Sequence, residues 1–160
     1  MTELVGLEEL RRHDRDWTFT ARPTPLSGDL RPVWRIALIL LCLFHSKKNS
    51  ASLRKLHVAN WCVKDPAAGA GVRRYFAGEP APETIVPRIE PSLNRAIDFA
   101  LAEGLIQLSG AKSLTLSAKG LEAAREFADA DDCLSAEKEV LVSIMPRLTE
   151  KALDTLFKGA

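Results

Sequence analysis

A mainly α-helical domain carrying a small β-wing, in a winged helix-turn-helix-like arrangement with helical N- and C-terminal extensions, is the fold class this sequence predicts. Three observations predict it. Between Ser92 and Phe127 an amphipathic helix, a strand, a tight turn, a second strand and another helix follow one another with almost no intervening loop. Upstream, the stretch from Arg31 to Ser46 is apolar on nearly every side of a helix, as the central helix of such a domain must be. The chain has 160 residues, of which 46% are hydrophobic, enough for one domain to bury a core.

The elements follow in order. Leu4, Leu7 and Leu10 share one side of a short helix over residues 3–12, and the Thr-, Pro- and Gly-rich stretch from Trp17 to Leu30 reads as a linker lying over the domain. Pro32 suits the first turn of the helix from Arg31 to Ser46, because the N–H it lacks has no partner there anyway. Asn49 or Ser50 is expected to start the next helix, from about Ala51 to Lys64, which Asp65-Pro66 ends. Residues 65 to 91 hold five prolines and read as a long loop with a short helical patch over Val72 to Phe76; such a loop is either functional or conceals a small helix.

The wing half is the most legible. Leu93, Ala96, Ile97, Ala100 and Leu101 recur at helical spacing, Gly104 stops the helix, and Leu105 to Leu108 changes to a strand-like run. Ser109 to Lys112 supplies the turn, Leu114 to Leu116 the returning strand, and Ser117 can cap a helix through Leu121, Ala124 and Phe127. Three acids between Asp129 and Asp132 break that helix, and Ser135 to Lys158 is again helical with a break at Pro146. The chain thus divides into an N-terminal helix and linker (1–30), the winged-helix domain (31–128) and a helical tail (129–160).

The net charge is +1, from 22 basic and 21 acidic side chains, so any electrostatic recruitment must be local. The apolar run from Ile36 to Phe44 is too short to cross a bilayer, and an N-terminus bearing Glu3, Glu8 and Glu9 lacks the pattern of a leader peptide; a cytoplasmic protein without a membrane partner is expected. Cys42, Cys62 and Cys133 are odd in number and widely spaced, which predicts reduced, buried thiols rather than a disulfide or metal site.

One charge block stands out. Between Leu30 and Lys64 there is no acid but seven cations: Arg31, Arg35, Lys47, Lys48, Arg54, Lys55 and Lys64. Lys47, Lys48 and Lys55 are the candidates for gripping phosphates or an acidic partner. The alternative is a solvated rim balanced by the stretch from Gly120 to Glu139, which has seven acids and two bases. On the helix from Ala51, the spacing puts Leu53, Leu56, Ala59 and Val63 toward the core and Arg54, His57, Val58 and Trp61 on another face. A cation, an imidazole and an indole together form the mixture enriched at protein interfaces, so Arg54, His57 and Trp61 are candidate partner-binding residues. The alternative is that Trp61 packs beneath the linker, against Trp17 or Phe19. In the tail, Leu153 and Phe157, with Leu141, Ile144, Leu148 and Leu156, are candidates for anchoring to another chain, or else for folding back onto the first helix.

A winged helix that reads DNA inserts the helix before the wing into the major groove. Here that helix presents Asn94, Arg95, Asp98 and Ala102, the wing tip offers only Lys112, and Arg88 to Lys119 carries four bases against three acids. Sequence-specific reading through this helix is therefore disfavoured, while non-specific contact through the basic block stays open. No paired carboxylates, metal-ligand spacing or nucleophile with its base is evident, Gly69-Ala70-Gly71 does not follow a strand, and His13, His45 and His57 are scattered. A non-enzymatic protein without a cofactor is expected.

The runs Leu30-Arg31-Pro32-x-Trp34-Arg35 through Leu41, Ser52-Leu53-Arg54-Lys55-Leu56-His57-x-x-x-Trp61, and Leu93 to Ile97 followed by Gly104-Leu105-Ile106 resemble the middle component of bacterial ABC-three-component systems, the class that includes Lamassu-type anti-phage operons. The resemblance covers roughly residues 18 to 128. It implies a non-catalytic winged-helix subunit in a hetero-oligomer, placed between an SMC-like ABC ATPase and an effector such as a nuclease, and helping to regulate that effector. The competing expectation is a stand-alone winged-helix transcriptional regulator that binds DNA as a homodimer.

Overall fold

The structure, a computed structural model, describes residues 32–80, 89–110 and 112–158. The predicted helix over 3–12, the linker with Trp17 and Phe19, and the side chain of Phe157 lie outside the described residues.

Helix α1 (Pro32–Phe44) is the centre of the fold, and Ala37 through Leu43 are each at most 3% exposed. Helices packed on several sides account for an apolar circumference, and each buried Leu or Ile contributes roughly 1.5–3 kcal/mol relative to exposure. Arg35 is the exception within this helix: its residue is buried at 2% exposure rather than forming part of a solvated rim. After α1 the Ser46 hydroxyl donates to the Cys42 carbonyl at 2.7 Å, and a single 3₁₀ turn, Lys47–Asn49, redirects the chain. Lys48 and Asn49 have φ of 59° and 51°, the left-handed region that asparagine tolerates and that costs a lysine about 1 kcal/mol.

The predicted helix start at Asn49 or Ser50 is corrected by a short strand, β1 (Ser50–Ser52). Ala51 pairs with Leu114, and the Ser52 Oγ accepts the Lys55 N–H at 3.2 Å, so helix α2 (Leu53–Lys64) begins two to three residues later than its sequence suggests. Leu56 and Ala59 enter the core as expected, but Leu53 is 43% exposed because it occupies the first turn beyond the sheet edge.

The long loop expected from Asp65 is in large part a helix, α3 (Pro66–Phe76). Asp65 both ends α2 and caps α3, its Oδ1 accepting the N–H groups of Ala67 at 2.9 Å and Ala68 at 3.1 Å, and Pro66 occupies the first turn. Gly69 lets α3 cross close to α2: a Cβ there would stand 2.6 Å from the Cys62 carbonyl oxygen. Gly69→Ala should therefore lower the urea midpoint of unfolding, although alanine is the better helix former by about 1 kcal/mol.

Helix α4 (Pro91–Ala102) ends in a left-handed Gly104, φ 66°, with the Leu105 N–H bonded to the Ala100 carbonyl at 2.9 Å. Strands β2 (Ile106–Ser109) and β3 (Ser113–Leu116) form the wing, and β1 completes an antiparallel sheet of order β1-β3-β2. Ile106, Leu114, Leu116 and Ala51 turn inward onto the helices. The result is a helical domain with a small β-wing, in which α3 is added between α2 and the helix that precedes the wing.

Helix α5 (Ala118–Asp129) starts at the Ser117 cap, whose Oγ accepts the Gly120 N–H at 3.0 Å. The tail forms α6 (Ser135–Ile144) and α7 (Glu150–Lys158), separated around Pro146 as predicted. Leu141, Ile144, Leu148, Leu153 and Leu156 are 0–2% exposed, and α6 lies against α1, α2 and α3. This corrects the expectation that one small domain would leave these residues uncovered: the tail returns onto its own core.

Candidate functional site

The residues singled out on α2 separate into a buried polar network and an exposed basic corner. Trp61 and His57 are 9% and 5% exposed and Val58 is 1%, so the face predicted for a partner is turned into the molecule. The physical reason is that α2 is packed by α3 on one side and by α6 and β1 on others, which covers two helical faces rather than one. Leu153, the tail candidate, has no exposed surface, and Phe157 falls in the last turn of α7. Arg54 remains at the surface, paired with Asp154 at 2.6 Å.

The network spans three elements. His57 Nε2 lies 3.0 Å from Asn94 Oδ1 on α4, while Arg35 of α1 donates to Glu90 at 3.0 Å and to Asn60 of α2 at 3.5 Å. Lys64, at the end of α2, donates to the other Glu90 oxygen at 2.7 Å. Glu90 is the residue just before α4, so these bonds fix where the helix preceding the wing begins relative to α1 and α2. Among the described residues, the buried His57 Nδ1 and Asn60 Nδ2 have no hydrogen-bond partner. Burial holds the His57 pKa below its ordinary value, against the opposing pull of the Asn94 hydrogen bond and the Glu90 charge. For Glu90, burial pushes the carboxyl up, but the bonds and charges of Lys64 and Arg35 together outweigh it and hold the pKa down.

Two predictions arise here. Glu90→Gln removes the carboxylate beside a 2%-exposed guanidinium and should cost about 2 kcal/mol at neutral pH, less than for a fully buried pair because the Glu90 side chain keeps 25% exposure. Denaturant titrations of wild type and variant should converge as pH falls through the depressed Glu90 pKa, since stability from a lowered carboxylate is present above the unfolded value and lost below the folded one. The histidines act in a higher window. His57 and His45 are both held low by burial, so the unfolded chain binds more protons below about pH 6.5 and stability falls from there downward. His57→Gln should flatten part of that slope below about pH 6.5, where the unfolded histidine takes up its proton and the buried one does not.

The basic corner is organised by different acids from those expected. Among the described residues, Lys55 pairs with Glu150 at 3.8 Å and Arg54 with Asp154, both acids on α7; of the Gly120–Glu139 stretch only Glu139 takes an ion pair, with Arg73 at 3.9 Å. Lys47 and Lys48 are exposed on the 3₁₀ turn with no ion pair among the described residues. Sequence reasoning missed Glu90 and Asn60, and read Asn94 only as part of the outward face of the helix before the wing, not as the partner of His57. The available signal was Arg35 itself, a lone cation in the first turn of an otherwise apolar helix, which when buried demands a carboxylate.

On α4 the outward side chains are Asn94, Arg95, Asp98, Phe99 and Ala102, with Phe99 54% exposed and Asn94 engaged by His57. Leu108 on the wing is 70% exposed. Cys42 and Cys62 are buried free thiols, their pKa values pushed up chiefly by burial, Cys62 to about 12, so neither is a nucleophile at neutral pH. Cys133 is partly exposed. Among the described residues no group of His, Cys, Asp or Glu side chains is placed to hold a metal ion, and no helix is long and apolar enough to cross a membrane. No protein-family model matches the chain, and neither a curated protein nor a solved structure does.

Proposed function

We propose that this chain is a non-catalytic accessory subunit that acts in the cytoplasm by docking other proteins through its α4 and wing surface. The observation that carries the proposal is the outward side of α4, where exposed Asp98 and Phe99 occupy positions that a duplex-reading helix gives to cations and amides. An acid facing phosphate is costly, whereas an exposed phenyl ring is a common anchor of protein interfaces. The resemblance set out above names the partners: an SMC-like ABC ATPase and an effector such as a nuclease, held quiet until foreign DNA is sensed in anti-phage defence. The helix before the wing then serves protein contact, and the His57–Asn94 bond and the Glu90 pairs hold it in place for that purpose.

Co-expression of the chain with its flanking genes, followed by tagged purification and mass measurement, tests the proposal. The expected result is a stable complex containing a large ATPase, weakened at least tenfold by Phe99→Glu, about what losing 1.4 kcal/mol at an interface anchor does. Purification as a free homodimer that binds one DNA sequence over others, and loses that binding in Arg95→Ala, would replace it with the transcriptional-regulator reading.

A further inference from the structure

We propose that the outer face of the three-stranded sheet, with the lysines on its rim, is a sequence-independent docking surface for the sugar-phosphate backbone of duplex DNA. The inference goes beyond the protein-docking role and does not depend on it. The strand register stacks Ser50, Thr115 and Gln107 in one row and Ser52, Ser113 and Ser109 in the next. Because the alternate residues Ala51, Leu114, Leu116 and Ile106 are buried against the helices, these two rows face outward. Every side chain in them is a hydroxyl or an amide; the Thr115 and Ser52 hydroxyls already donate to the Asn49 carbonyl and to Glu150, and Ser50, Gln107, Ser109 and Ser113 offer the donors for phosphate oxygens.

The rim supplies the charge. Lys47 and Lys48, both exposed, lie in the 3₁₀ turn that leads through Asn49 into β1, and the Thr115 hydroxyl ties this turn to the middle strand by donating to the Asn49 carbonyl at 3.1 Å. Lys112, also exposed, precedes Ser113, whose cross-strand partner is Ser52. At the remaining corner the surface already holds carboxylates. Ser52 donates to Glu150 at 2.8 Å, Lys55 lies 3.8 Å from the same oxygen, and Asp154 sits on Arg54. Glu150 and Asp154 keep side-chain exposures of 55% and 57%, so these pairs are weak and their carboxylates can turn aside for a phosphate while α7 stays seated. No aromatic ring lies in the two rows, so the face offers unpaired bases nothing to stack on, and the matching ligand is a backbone whose bases are turned inward.

The test is fluorescence anisotropy of the full chain with short labelled DNA duplexes of two unrelated sequences across a salt series. Expected is equal binding of both sequences, with a slope of log K against log salt of about −3 for Lys47, Lys48 and Lys112, which make no ion pair among the described residues. Lys47→Ala/Lys48→Ala should weaken binding at least tenfold at low salt and reduce that slope to about −1. Glu150→Gln/Asp154→Asn should tighten it several-fold by removing the competing acids, and Arg95→Ala on α4 should leave it unchanged. All of these side chains are at the surface, and circular dichroism melts of the variants would verify the fold. The proposal is overturned if neither wild type nor the Glu150→Gln/Asp154→Asn variant binds, if one sequence is preferred, if Arg95→Ala rather than the lysine variant abolishes binding, or if only an RNA duplex is bound.

Discussion

Gly120→Ala is expected to lower the stability of the fold by about 3 kcal/mol, at the upper end of what overpacking costs. A Cβ built on Gly120 would lie 1.8 Å from the carbonyl oxygen of Leu105 and 2.8 Å from its carbonyl carbon. Both atoms are backbone, so no side chain can swing away; either α5 or the entry to β2 must shift. That entry is tightly held, since Ser117 Oγ lies 2.7 Å from the Gly104 carbonyl oxygen and the Ser117 N–H donates to Leu105 at 3.0 Å. Moving the strand would also disturb Ile106 opposite Leu116, a buried pair at the base of the wing. In a thermal melt the loss corresponds to a fall of about 6–12 °C for a chain of this size. Ser117→Ala provides the comparison, because losing the helix cap together with the Oγ bonds to the Gly104 and Leu105 carbonyls costs about 1–2 kcal/mol without any overpacking. If the two variants lost the same stability, the close approach of α5 to Leu105 would not be what fixes glycine at this position.

The same region shows what a sequence can and cannot reveal. Its boundaries carry local chemical signals: a left-handed glycine after α4, a serine cap before α5, and apolar residues whose spacing changes from helical to alternating. The wing was therefore legible to within a residue or so. Strand β1 was not, because Ser50-Ala51-Ser52 has no strand pattern of its own and exists only because β3 offers a partner. Helix α3 was hidden for another reason. Asp65-Pro66 reads as a stop, yet the same pair is a cap and a first-turn proline, and the small residues Ala67 to Gly71 carry little periodicity.

Charge was legible as a block but not as a set of contacts. The acids that organise it, Glu90, Glu150 and Asp154, are 26 or more positions away along the chain, and only folding brings them to Lys64, Lys55 and Arg54. The exposed pair Lys47 and Lys48 needed no such information, because a turn between two elements must lie at the surface. The two proposed roles fall on different surfaces: α4 presents Asp98 and Phe99 beside Arg95, while Lys47, Lys48 and Lys112 stand around the sheet.

Trp61→Ala is expected to cost about 3–5 kcal/mol, the range for deleting a large aromatic side chain from a core. With only 9% of its surface exposed, Trp61 belongs to the same buried apolar core as Leu56, Val72 and Leu141. Truncation to a methyl leaves a cavity in that core, which the packed helices around it can collapse only in part. For a domain whose total stability is about 5–15 kcal/mol, this variant sits near the unfolding threshold at physiological temperature. A lost pull-down in Trp61→Ala would consequently report unfolding rather than a missing contact. Phe99→Glu is the opposite case: it changes a residue 54% exposed and should leave the melting temperature nearly unaltered while weakening partner association. Trp61→Phe separates the two effects, since it keeps most of the buried volume. Measured side by side, Trp61→Ala should lose partner binding only in proportion to its unfolded fraction, and Trp61→Phe should retain it. A Trp61→Ala protein as stable as wild type that nonetheless fails to associate would place the indole at the interface and overturn its assignment to the core.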